Sequence, residues 1–161
     1  MGDFSLAFKQ INDKTDKQLN RIIKKTVFDL TSSIIQDTPV DSGRLRANWL
    51  VSFNTPIDAE LKLEDKEGDA TIAKAKALIS GNKVPLVYWI QNNLPYANVV
   101  EFGLYPNPVK LGSRTKQAKK GSQVKYQVLS TNGFSAKAPQ GMVRINILRF
   151  NKFLQANLKG L

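Results

Sequence analysis

The chain has no cysteine and no histidine among its 161 residues. Without cysteine there is no disulfide framework and no thiolate metal site, which suits folding in a reducing compartment. Without histidine there is no imidazole ligand and no Ser–His or Cys–His nucleophilic pair. No run of 18 apolar residues occurs, so no helix is expected to span a membrane. The start, Met1-Gly2-Asp3-Phe4, carries no basic-then-apolar leader pattern. Glycines 43, 81, 103 and 112 stand alone, so no phosphate-cradling loop is expected. With no nucleophile motif and no paired acids near aromatic residues, the expectation is a protein that is not an enzyme and uses no cofactor or metal.

Acidic residues are missing from a whole region. Residues 1–101 hold 13 Lys and Arg against 13 Asp and Glu, whereas residues 102–161 hold 11 cations and no acid. The net charge of +11 therefore lies entirely in the last part of the chain. Such a surface is suited to a polyanion or an acidic protein face. Hydrophobic content is 42%, enough for a globular core without staples, and the length predicts one domain over 1–161.

Apolar residues at Phe4, Phe8, Ile11, Leu19, Ile22, Ile23, Val27, Leu30, Ile34 and Ile35 recur mostly every three or four positions. This predicts a helix over about 3–37, with an interruption near Thr15. Its opposite side carries Lys9, Lys14, Lys17, Arg21 and Lys24 with Asp13 and Asp16. Its first turns are read either as a solvated extension or as a contact with a neighbouring subunit. Pro39 ends the helix, and Asp41-Ser42-Gly43 is turn chemistry. Arg44 and Arg46 are expected to leave that turn on one side of a strand running over 47–55, with Trp49 as a core anchor. Residues 56–69 form an acidic loop whose spacing matches no calcium loop. A short helix over 69–80 should close on Gly81. Val84 to Gln91 is apolar on both alternations and predicts a central strand covered on both faces.

Pro95 opens a short helix bearing Tyr96, Val99, Val100 and Gly103 on one side, with Glu101 pointing away. Glu101 is the sole acid after Asp69, and an ion pair with Arg44 or Arg46 is the expectation. A basic loop at about 104–123 comes next, and Val124 to Leu129 reads as the strand that completes a hairpin with it. Lys110, Arg114, Lys116, Lys119, Lys120 and Lys125 are its candidate interface or DNA-facing cations. Met142 to Leu158 carries a wide apolar band and predicts a last helix. The fold class expected is α+β: a long N-terminal helix and a C-terminal helix on a small, mostly antiparallel sheet of three to five strands, with a projecting basic loop.

Two blocks stand out: Thr38-Pro39-Val40-Asp41-Ser42-Gly43-Arg44-Leu45-Arg46-Ala47-Asn48-Trp49 and Leu94-Pro95-Tyr96-Ala97-Asn98-Val99-Val100-Glu101-Phe102-Gly103. In this order, after a long amphipathic helix, they resemble the tail-completion, or neck, proteins of long-tailed bacteriophages. In that family a TPVDTGRLR-like turn leads into a strand and a YAxxVEFG-like segment follows a second strand. Ser42 stands where the family often has Thr. Ala138-Pro139-Gln140-Gly141 resembles the element that precedes the family's last helix. The resemblance marks Pro39, Asp41, Gly43, Arg44, Arg46, Trp49, Tyr96, Glu101 and Gly103 as the structural motif.

It implies a structural virion protein, assembled in the host cytoplasm into a ring at the neck. The ring would touch the head connector or stopper on one side and the tail terminator or tube on the other, with packaged DNA in its channel. Alternatives are a basic nucleic-acid-binding module, or a tail-terminator or head-adaptor subunit.

Overall fold

The structure is a computed structural model that describes residues 2–105, 109–110 and 126–159, with side chains for 9–105 and 128–159. Helix α1 spans Gly2–Asp37, about 54 Å at 1.5 Å per residue. It runs through Thr15 without a break; the Thr15 hydroxyl simply donates to the Ile11 carbonyl at 2.9 Å. The helix stops where expected: the Thr38 hydroxyl donates to the Ile34 carbonyl at 2.7 Å, and Pro39 comes next. Among the described side chains of α1, burial begins only at Ile22; every residue from Lys9 to Arg21 is exposed.

The strand expected from residue 47 starts later. Gly43, at φ +91°, turns its carbonyl to accept the Ala47 N–H at 2.9 Å, and Arg44–Ala47 forms a single helical turn, α2. Strand β1 (Trp49–Phe53) then pairs antiparallel with β2 (Tyr88–Asn92), Val51 opposite Ile90. The fully covered central strand over 84–91 is not formed. Among the described residues this ribbon has two strands and no third beside them, and Leu86 is 98% exposed. Helix α3 (Asp69–Gly81) incorporates Gly81 as its last residue instead of using it as a left-handed stop.

Helix α4 (Ala97–Phe102) ends on Gly103 at φ +60°. Two short antiparallel ribbons come after it, β3 (Val109–Lys110) with β4 (Tyr126–Gln127) and β5 (Ser130–Thr131) with β6 (Phe134–Ser135). Of the strand expected over 124–129, only Tyr126 and Gln127 are paired, and 124–125 lie outside the described residues. Helix α5 (Arg144–Leu158) closes the chain. The class is α+β as expected, with the described strands in three separate two-stranded ribbons in place of one sheet.

The main core gathers Ile34, Ile35, Leu45, Trp49, Leu94, Val100 and Met142, at the C-terminal end of α1. A second cluster of Val51, Ala75 and Ile79 joins β1 to α3 beside Val27 and Phe28. Helix α5 departs from its sequence pattern. The residues it buries are Asn146 and Asn157, while Ile147 is 61% and Leu148 79% exposed. The Asn146 amide donates to Asp37 at 2.9 Å, and Asn157 donates to Asp29 at 2.8 Å and to the Thr26 hydroxyl at 3.2 Å. Lys25 donates in turn to the Asn157 carbonyl oxygen, and Arg149 pairs with Asp37 at 2.7 Å. A polar seam thus holds α5 to α1, and much of the expected apolar band faces outward.

Trp49 is buried, and its indole N–H donates to the Thr38 hydroxyl at 2.7 Å, tying β1 to the end of α1. Trp49→Ala should destabilise the protein by about 3–5 kcal/mol, read as a lower urea midpoint.

Candidate functional site

The acidic segment 57–69 has almost no regular structure, yet side chains from other parts of the chain hold its backbone at many points. The Asn93 amide donates to the carbonyls of Ile57 at 2.7 Å and Ala59 at 2.8 Å, and Gln91 accepts the Ile57 N–H at 3.1 Å. Asn48 is fully buried; its amide donates to the Leu61 carbonyl at 2.9 Å, and its oxygen takes the Leu61 N–H at 2.6 Å. Arg46 lays its guanidinium across four carbonyls: Lys66 at 2.5 Å, Glu67 at 3.2 Å, Gln36 at 2.9 Å and Thr38 at 2.8 Å. Gly43 is required where it sits, because a Cβ there would stand 2.6 Å from the Asp65 backbone, and φ is positive.

Asp65 finishes the cradle. Its carboxylate accepts the Gly68 N–H at 2.8 Å, the Thr71 N–H at 2.8 Å and the Thr71 hydroxyl at 2.7 Å, so it caps α3 from outside the helix. Burial pushes the Asp65 carboxyl upward, but the Thr71 and Gly68 bonds, with Arg46 nearby, outweigh it and hold the group below its ordinary value. With the backbone pinned inward, Asp58, Glu60, Glu64 and Glu67 are left exposed.

Glu101 organises the other block. It is 5% exposed. Its carboxylate accepts the N–H groups of Met142 at 2.5 Å, Val143 at 3.0 Å and Arg144 at 3.0 Å, 41 to 43 residues further along the chain at the head of α5. The Arg144 Nε adds a fourth donor at 3.2 Å, and its guanidinium also donates to the carbonyls of Glu101 and, at 2.9 Å, Gly133. The same guanidinium lies 3.9 Å from the Phe134 ring centre and 5.0 Å from that of Phe102. Burial works to raise the Glu101 carboxyl, yet the three backbone N–H bonds and Arg144 bring it below its usual range. Gly103 and Gly141 permit this approach: a Cβ on Gly103 would collide with the Phe134 backbone, and one on Gly141 would sit 2.6 Å from the Glu101 carboxylate.

The expected pair between Glu101 and Arg44 or Arg46 is therefore not made. Arg44 pairs with Glu60, Arg46 serves carbonyls, and Glu101 takes Arg144. The cause is the helical turn of α2, which sends the two arginines to the acidic segment and away from α4. Of the other motif positions, Pro39 lies at the end of α1, Asp41 is exposed, and Tyr96 occupies the N-cap of α4. Arg114, Lys116, Lys119, Lys120 and Lys125 lie outside the described residues, and Lys110 is described only as backbone in β3. Sequence reasoning missed Asn48, Asp65 and Asn93. Asn146 and Asn157 did carry a signal, since a spacing of 11 puts two residues on one helical face. Among the described residues no three acids converge as a metal site would require, and no helix is long and apolar enough to cross a membrane.

Asp65 and Glu101 are both held below their ordinary pKa, so the stability they add is complete above the unfolded values, about 3.9 and 4.3. It is lost as pH falls through the lower folded values. Urea midpoints should therefore drop steadily from about pH 5 downward. Glu101→Gln should lower stability by about 3–5 kcal/mol at neutral pH and flatten part of that drop.

A family model described as "Bacteriophage HK97-gp10, putative tail-component" matches residues 3–103, well over half of the chain. The match takes in α1, the cradle, the acidic segment and Glu101, and ends before the basic stretch. No curated protein and no solved structure matches.

Proposed function

This chain belongs to the HK97-gp10-like family of bacteriophage tail components, and from that premise we propose that it forms a ring of identical subunits at the head-proximal end of the tail. There it joins the head connector or stopper to the tail terminator or tube, and its channel passes the packaged DNA. Its place is the neck of the virion, after assembly in the host cytoplasm.

The observation that carries this reading is the exposed stretch of α1 from Lys9 to Arg21, with Ile11 and Leu19 open to solvent. The stretch continues the packed half of α1 and leaves these apolar side chains for another molecule to cover. A neighbouring copy supplies that cover. A chain of this length has a radius of gyration of only about 15 Å, so one copy cannot enclose a duplex, whereas a repeated head-to-tail contact can. The sequence carries the cations Lys110, Arg114, Lys116, Lys119, Lys120 and Lys125, whose charge suits acidic neighbours or DNA in the channel.

Phage lacking the gene should accumulate filled heads and separate tails that fail to join, counted by electron microscopy. Joined, infectious particles without this protein would defeat the reading. Tight binding of free DNA by the isolated chain, persisting near physiological salt, would favour the nucleic-acid-binding alternative instead.

A further inference from the structure

We propose that the exposed stretch of α1 in one subunit docks on the 57–69 segment of the next copy, making the subunit contact electrostatic and head-to-tail. This inference rests on the ring reading and names the two surfaces that meet.

Lys14, Lys17 and Arg21 recur at spacings of three and four, so they form one stripe on α1, with Gln18 among them and Ile11 at its border. All five are exposed. Lys9 to Arg21 holds four cations against Asp13 and Asp16, leaving it positive. Residues 57–69 hold six acids against Lys62 and Lys66, leaving that segment negative. Asp58, Glu64 and Glu67 are exposed and, among the described residues, enter no ion pair, while Ile57 and Leu63 stand exposed beside Asp58 and Glu64 in the chain.

The two surfaces cannot meet within one molecule. Arg46 fastens the acidic segment to the Gln36 and Thr38 carbonyls, at the C-terminal end of α1. Lys14 lies about 33 Å back along the same helix axis. Complementary charges at opposite ends of one rigid rod find each other only between copies. The contact joins unlike surfaces, so it repeats by rotation and closes into a ring when the angle allows. The acidic segment is already pinned through its backbone by Arg46, Asn48 and Asn93, so little ordering is required on docking. Helix α5, another face with open apolar residues, carries Lys152 and is followed by Lys159, so it would repel the stripe.

The absence of native cysteine permits a direct test. The Gln18→Cys, Leu63→Cys double variant, oxidised as purified protein and in tails from phage carrying it, should give a ladder of disulfide-linked multiples of this chain. Each single variant alone should give none, and a mixture of the two singles should give dimers only. Adding Lys17→Glu and Arg21→Glu should cut the linked yield about tenfold, and further adding Glu64→Lys and Glu67→Lys should restore it. All these positions are exposed, so melting temperatures should stay near that of the unaltered protein. Rings seen by microscopy whose subunits do not link through this pair would overturn the inference and leave the ring reading standing. Linkage to a different tail protein, or charge reversal without rescue, would also overturn it. A chain that never self-associates, in solution or in tails, would remove both.

Discussion

The Arg46 guanidinium closes four backbone carbonyls at once, two at the end of α1 and two in the acidic segment. Much else is arranged around that junction. Gly43 is shaped to let the segment approach, Gly68 packs against the Arg46 side chain, and Trp49 bonds to Thr38 on the other side of the same helix end. A planar fork with several fixed donors can do this, whereas a lysine ammonium, a single point charge, cannot. The result is an irregular segment with a determined shape, which gives its outward carboxylates a fixed spacing.

Glu101 does the corresponding work for the second part of the chain. A carboxylate sealed against three main-chain N–H groups satisfies the donors that the start of α5 would otherwise leave bare. Along the rest of its length α5 meets α1 through asparagines, an aspartate pair and a lysine. Hydrogen bonds of this kind add modest net stability but are costly to leave half made. They fix the register of the two helices more strictly than a greasy seam would.

Much of the fold is legible in the sequence. The boundaries of α1 follow from apolar spacing and Pro39, and the two short blocks are the places where distant segments join. Trp49 and the isolated acid at 101 stand out for sound reasons. Three of the expectations that fail show the physical cause most plainly. Residues 44–47 look like the approach to a strand because period-two spacing cannot distinguish a strand from a single helical turn set by a positive-φ glycine. The apolar run at 84–91 lacks a covering layer among the described residues, and no local pattern reveals that. The apolar band of α5 reads as a core face, whereas Asp29 and Asp37 on α1 select its asparagines. Partners across more than a hundred residues, such as Asn157 with Asp29, are not visible in any local window.

The Glu101 latch reads main-chain amides, which every residue except proline provides. Positions 142 and 143 are thus latched through their main chain, while the Met142 side chain is held separately by its burial in the core and Gly141 and Arg144 by their contacts with the carboxylate. The family match stops two residues beyond this carboxylate. The latch therefore sits at a border: it couples the matched region to the stretch that holds the whole positive excess, through bonds made to the main chain.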